Sequence, residues 1–220
     1  WSVQESGCGS VTQAGLYTAP SSARTCHVVA TSNADPGKSA VATVAVTTAP
    51  PPPTGDCVGA PLRPTGTVYY YCDCGTGAAP GCVPGNDGNA GTSPAAPRRS
   101  LASAQGRFTA MNGGDTVALC RGGAWDASFG DATNLACTPT STCDLRDYQP
   151  GWGANLDRPR INAPSGANVI TVDPGSTTSR GYRFWNLDVR EPDVQAGVLF
   201  QFFGDTRDVD VCGVRLTPGN

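Results

Sequence analysis

Ile161-Asn162-Ala163, Leu187-Asp188-Val189 and Val214-Arg215-Leu216 are three short apolar–polar–small-or-apolar runs within residues 161–216. Their first members stand 26 and 27 residues apart (187 − 161 and 214 − 187). A second apolar run recurs as Val169-Ile170-Thr171-Val172 and Val198-Leu199-Phe200, 29 residues apart (198 − 169). Gly, Pro, Asn and Asp fill the corners between runs, where they turn the chain. A repeat of this period, made of strands this short, cannot bury a core alone and has to stack on its neighbours. That is what a coil of a parallel β-helix requires. Leucine-rich repeats share the period but need a leucine-asparagine consensus that is absent here. The pattern predicts that Ile161, Leu187 and Val214 point inwards from one parallel sheet on successive coils, while Asn162, Asp188 and Arg215 point out.

Upstream, the region between Trp125 and Arg158 breaks the period and reads as an insertion, with Cys137 and Cys143 closing a small loop inside it. Before it, Thr67 to Cys72 is an aromatic strand carrying Tyr69, Tyr70 and Tyr71, followed by the Gly/Asn-rich loop Gly85 to Pro94. From Arg99 to Met111, the residues Leu101, Ala104, Phe108 and Met111 recur at three- and four-residue spacing, which predicts an amphipathic helix. Gly114-Asp115-Thr116-Val117 and the turn Gly122-Gly123-Ala124-Trp125 follow. This succession resembles the opening of right-handed parallel β-helix proteins of the pectate-lyase-like superfamily. The resemblance implies that residues 56–220 are the N-terminal portion of such a helix, with a disulfide-rich neck and a cap helix. The cap would bury Leu101, Phe108 or both over the first coil, because an open coil exposes a sheet edge and an apolar core. Further coils and a terminal cap are expected beyond Asn220.

Residues 1–48 form a different unit. Trp1-Ser2-Val3, Gly15-Leu16-Tyr17-Thr18-Ala19-Pro20, Cys26 to Thr31 and the alternating Ser39 to Val46 read as short strands. Together they resemble the second half of a bacterial immunoglobulin-like domain, with the first strands expected upstream. Such a unit is expected to act as a spacer, with Cys8 bonded to Cys26. Residues 49–55 are proline-rich and form an extended linker. The fold class expected is therefore all-β: a partial Ig-like β-sandwich, a linker, then a cap helix and the first coils of a β-helix.

Composition agrees with short strands and turns: Gly (28) and Pro (19) together exceed a fifth of the 220 residues, and only 15% are charged. A net charge of −3 with a single lysine, Lys38, excludes a phosphate-neutralising surface, so no nucleic-acid partner is expected. No apolar run reaches the roughly 20 residues a membrane helix needs. Ten cysteines with one histidine, His27, point to disulfides rather than metal, and so to a secreted or surface protein whose signal peptide lies upstream. Cys57, Cys72, Cys74 and Cys82 are expected to pair among themselves. The pairing of Cys120 and Cys212 stays open, since about three coils at roughly 4.8 Å each exceed the reach of a bridge.

Candidate binding residues are few. Asp188 and Arg215, outward on neighbouring coils, pair a carboxylate with a guanidinium and suit an acidic sugar, though a solvated ladder is the plainer expectation. Tyr148 and Trp152, in the inserted region, offer rings for sugar stacking, whereas Trp185, Phe202 and Phe203 read as core. Asp205, Asp208 and Asp210 sit close enough to ligate Ca2+ through oxygen, but read as an exposed corner, and Asn86, Asp87 and Asn89 read as turn chemistry. No cofactor is expected. Asp188, Glu191 and Asp193 are the carboxylates nearest to a glycosidase pair, yet no catalytic motif of the family is present to carry over. The function expected is a structural or adhesive extracellular segment that touches polysaccharide or copies of itself. The alternatives are a polysaccharide lyase or hydrolase with active coils beyond Asn220, and a fibre subunit.

Overall fold

A computed structural model describes residues 1–20, 22, 24–46, 57, 66–154, 156–191 and 199–218. The chain folds as two compact units, Trp1–Pro50 and Pro51–Asn220. The expected linker, 49–55, lies outside the described residues, as do Asp193 and Val198.

In the first unit, β1 (Ser2–Val3) and β5 (Ser39–Val46) flank β4 (Arg24–Thr31) in an antiparallel sheet, and β2 (Ser10–Val11) pairs with β3 (Tyr17–Thr18). Its small core is Cys8, Cys26 and Val28, with Cys8 bonded to Cys26. His27 pairs with Glu5, and this contact holds the Glu5 carboxyl below its ordinary range.

The second unit is built from parallel strands that recur in a fixed rotation. One sheet contains β6 (Val68–Tyr71), β7 (Thr116–Cys120), β10 (Cys143–Tyr148), β13 (Thr178–Trp185) and β16 (Asp205–Cys212). A second holds β8 (Ala124–Trp125), β11 (Arg160–Asn162), β14 (Asp188–Glu191) and β17 (Arg215–Pro218). The third holds β9 (Gly130–Asp131), β12 (Ile170–Val172) and β15 (Phe200–Phe202). From β7 onwards the chain visits the three sheets in turn, a topology that fits a β-helix. Apolar side chains stack in columns across the coils: Val117, Leu145 and Phe184 in the first sheet, and Trp125, Ile161 and Val189 in the second, all buried. The helix α1 (Leu101–Ala110) packs against β6, β7 and β9, burying Leu101, Ala104 and Phe108. Ser100 caps it, its Oγ accepting from the Ser103 N–H, which satisfies one of the free donors of the first turn. No helix among the described residues is long and apolar enough to cross a membrane.

Three expectations are corrected. First, the stretch 126–158 is not a single insertion. It contains β9 and β10, and β10 is a fully buried strand lying 28 residues after its partner β7 (144 − 116). The true expansion at that corner is 149–159, eleven residues where the matching corners hold three (121–123) and two (186–187). Second, the register of the triplets slips. Ile161 pairs with Val189 rather than Leu187, and Asp188 pairs with Arg160 rather than Asn162, while Leu187 and Val214 do align. In the third sheet Ile170 pairs with Phe200, one residue beyond the expected partner. Third, the four neck cysteines do not pair among themselves. Only Cys74–Cys82 does. Cys72 is bonded to Cys120 and Cys57 to Cys212, alongside Cys137–Cys143, and among the described residues no cysteine is free.

Candidate functional site

The eleven-residue corner after β10 carries Trp152, and β10 ends at Tyr148, so the fold brings these two rings to one place. They line a cleft of about 590 Å3 whose opposite wall is the loop Val83–Pro97. That wall is fixed by its own hydrogen bonds. Asn89 Nδ2 donates to the Pro97 carbonyl at 2.8 Å, and Asn86 Oδ1 accepts from the Gly88 N–H at 2.8 Å. Asp87 Oδ1 accepts from the backbone N–H groups of Arg99 and Ser100, tying the loop to the start of α1. Burial raises the Asp87 pKa, but the Ser100 and Arg99 donors outweigh it and hold the carboxyl below its usual range.

Trp152 is half-buried, and its turn is closed by a Gln149 side-chain hydrogen bond to the Gly153 carbonyl. The ring lies against Gly122, where φ is +73° and an added Cβ would meet Trp152 Cη2 at 3.0 Å, so this position suits glycine alone. Tyr148 is 5% exposed and packs edge-on against Tyr70 with ring centroids 5.0 Å apart. Burial pushes its phenol up, so the group stays protonated at ordinary pH. Its hydroxyl is buried and has no hydrogen-bond partner among the described residues. An orphan of this kind costs free energy unless a ligand or water meets it.

Asp188 and Arg215 are adjacent, but Asp188 is not on a solvated ladder. It is 3% exposed, because three arginines close over it on the outer side of the second sheet. Arg190 Nη2 donates to Asp188 Oδ2 at 2.7 Å, and Arg160 and Arg215 approach the same oxygen at 3.6 Å. Asp188 Oδ1 receives no hydrogen bond from the described residues. Arg160 also lines a smaller hollow of about 240 Å3 with Gly77, Gly122 and Asp157. Beside it, Asn162 and Thr76 bind Asp126, whose carboxyl the Thr76 N–H holds below its ordinary range.

The other candidates are dispersed. Asp205 accepts from Thr178 and Arg207, and Asp210 accepts from Trp185 Nε1, so these carboxylates are engaged separately. Among the described residues no cluster of three or more His, Cys, Asp or Glu has the geometry of a metal site. Trp185 is not part of the inner core. It faces the guanidinium groups of Arg146 and Arg183 at 5.2 and 5.3 Å. Phe202 and Phe203 are exposed, and Glu191 ends β14.

Sequence reasoning missed Asn86 and Asn89 as cleft residues, since Asn in a Gly-rich loop signals only a turn. It also missed Arg160, which a register pairing Asn162 with Asp188 places away from that carboxylate, and Arg190, two residues further along the same strand. No protein-family model matches this chain, and neither the curated proteins nor the solved structures contain a match to it.

Proposed function

We propose that this chain is a segment of a secreted or surface-displayed structural or adhesive protein, an Ig-like spacer followed by a right-handed parallel β-helix rod. The observation that carries this reading is the combination of three parallel sheets sharing one continuous core with five disulfides. Stacked coils make a stiff body whose length grows with each repeat, which suits reach. Disulfides persist in oxidising surroundings. The lyase or hydrolase reading rests on the resemblance alone. Accessibility of the chain to antibody on intact cells tests the location, and exclusive retention inside the cytosol would sink the proposal. Acidic and neutral polysaccharides, with and without Ca2+, should show no turnover by this segment. Cleavage that disappears on Asp188→Ala or Arg215→Ala would establish an enzyme instead.

A further inference from the structure

The cleft between Trp152 and the loop Val83–Pro97 goes beyond a rod's structural needs. We propose that it is a binding site for an uncharged oligosaccharide, with Trp152 as the stacking platform. The inference would serve the adhesive reading above but does not depend on the rod being adhesive.

Five observations converge. The volume, about 590 Å3, falls in the range of small-ligand sites. Its lining combines ring and apolar surface (Trp152, Tyr148, Pro84, Pro97) with the amides of Asn86 and Asn89, and none of the described lining residues is charged. A sugar presents the same combination, C–H faces for a ring and hydroxyls for amides. Among the described residues the Asn86 amide nitrogen makes no hydrogen bond, so a donor is in place without a competing internal bond. Finally, the walls are held before any ligand arrives. Asp87 and Asn89 pin one to α1 and Pro97, and Gly122 seats Trp152 on the other, so little ordering would be lost on binding. The corner that carries Trp152 is also one of the two longest from β7 onwards, eleven residues where its matching corners hold two or three. Long corners on a regular scaffold are where binding residues concentrate.

An acidic sugar is a poorer fit because no cation is among the described residues that line the cleft. A proline-rich peptide is the nearest competitor, since aromatic grooves also take extended proline helices. Isothermal titration of the full chain with cellohexaose, mannohexaose and laminarihexaose, with hexagalacturonate and decaproline as controls, separates these. At least one neutral hexasaccharide should bind. Trp152→Ala should weaken it at least tenfold, and Ala95→Trp, which adds bulk at an exposed lining position away from the core, should block it equally. No binding of any neutral sugar, binding indifferent to both Trp152→Ala and Ala95→Trp, or preference for decaproline or hexagalacturonate would overturn the assignment.

Discussion

Asp188 owes its burial to arginines rather than to the core. Its neighbours Leu187 and Val189 point inwards and are fully buried, while the carboxylate turns out and is covered by Arg160, Arg190 and Arg215. Removing it leaves three guanidinium groups crowded around nothing. Asp188→Ala should therefore cost about 3 kcal/mol in urea unfolding, the scale for breaking a buried pair. Arg215→Ala, at a half-exposed partner 3.6 Å away, should cost less than about 1 kcal/mol. Similar losses for the two would show that Asp188 is not the centre of the cluster. Asp144 behaves in the opposite sense. Burial raises its pKa, against the hydrogen bond from Thr142 and the charge of Arg183. The folded state then holds this proton to higher pH than the unfolded chain does. Stability drops as pH climbs from the unfolded to the folded pKa, and the deficit persists at neutral pH. Asp144→Asn keeps an acceptor for Thr142 and removes the charge. It should raise the melting temperature at pH 7, with the gain shrinking as acid protonates the wild-type carboxyl. A gain that is independent of pH would refute the burial argument.

At the scale of elements, the covalent pairing follows strand adjacency rather than closeness in sequence. Cys72 follows β6 and Cys120 ends β7, 48 residues apart in the chain but on neighbouring strands. In the chain-entropy account, replacing this pair with serines should cost about 4 kcal/mol, and replacing Cys74–Cys82, which closes a loop of only eight, about 2.5 kcal/mol. Denaturant midpoints of the two double variants check the order. The same adjacency explains what the sequence revealed and what it hid. The 26- and 27-residue spacing exposed β11, β14 and β17, and the three- and four-residue spacing exposed α1, because each pattern reports a face. The register of Ile161 stayed ambiguous because Leu187 and Val189 are both buried apolar residues. A slip of two leaves every side chain on its own face, so hydrophobicity cannot detect it. β10 went unrecognised as a core strand because Cys143-Asp144-Leu145-Arg146-Asp147-Tyr148 reads as polar. Its buried charge is answered only in three dimensions, where Asp147 accepts from Arg121 at 2.7 Å and from Asn186 at 3.0 Å. The aromatic half of the cleft was legible from Tyr148 and Trp152. The amide half was not, since it is the folding back of Val83–Pro97 that turns a turn sequence into a wall.

Across the whole second unit, the core columns change character at the outermost coil. In the first sheet Phe184 is fully buried and its column partner Val211 is 47% exposed; in the second, Val189 is fully buried and Leu216 is 50% exposed. The third sheet repeats the change, with Val172 fully buried and Phe202 40% exposed. Each of these residues covers the coil beneath it, and among the described residues none is covered in turn. Three apolar columns therefore open on the same end of the stack, along edges of β15, β16 and β17 that pair with no further strand among the described residues. Apolar surface and strand edges of this kind associate in water, whatever covers them in a longer chain. The chain should self-associate with rising concentration in light scattering coupled to size exclusion, more strongly in sulfate, which strengthens apolar burial. Val211→Glu with Leu216→Glu should restore a monomer without lowering the melting temperature, since both side chains are about half in water already. A wild-type chain that stays monomeric at every concentration, or association that survives the double substitution, would mean that this end is not the surface that copies share.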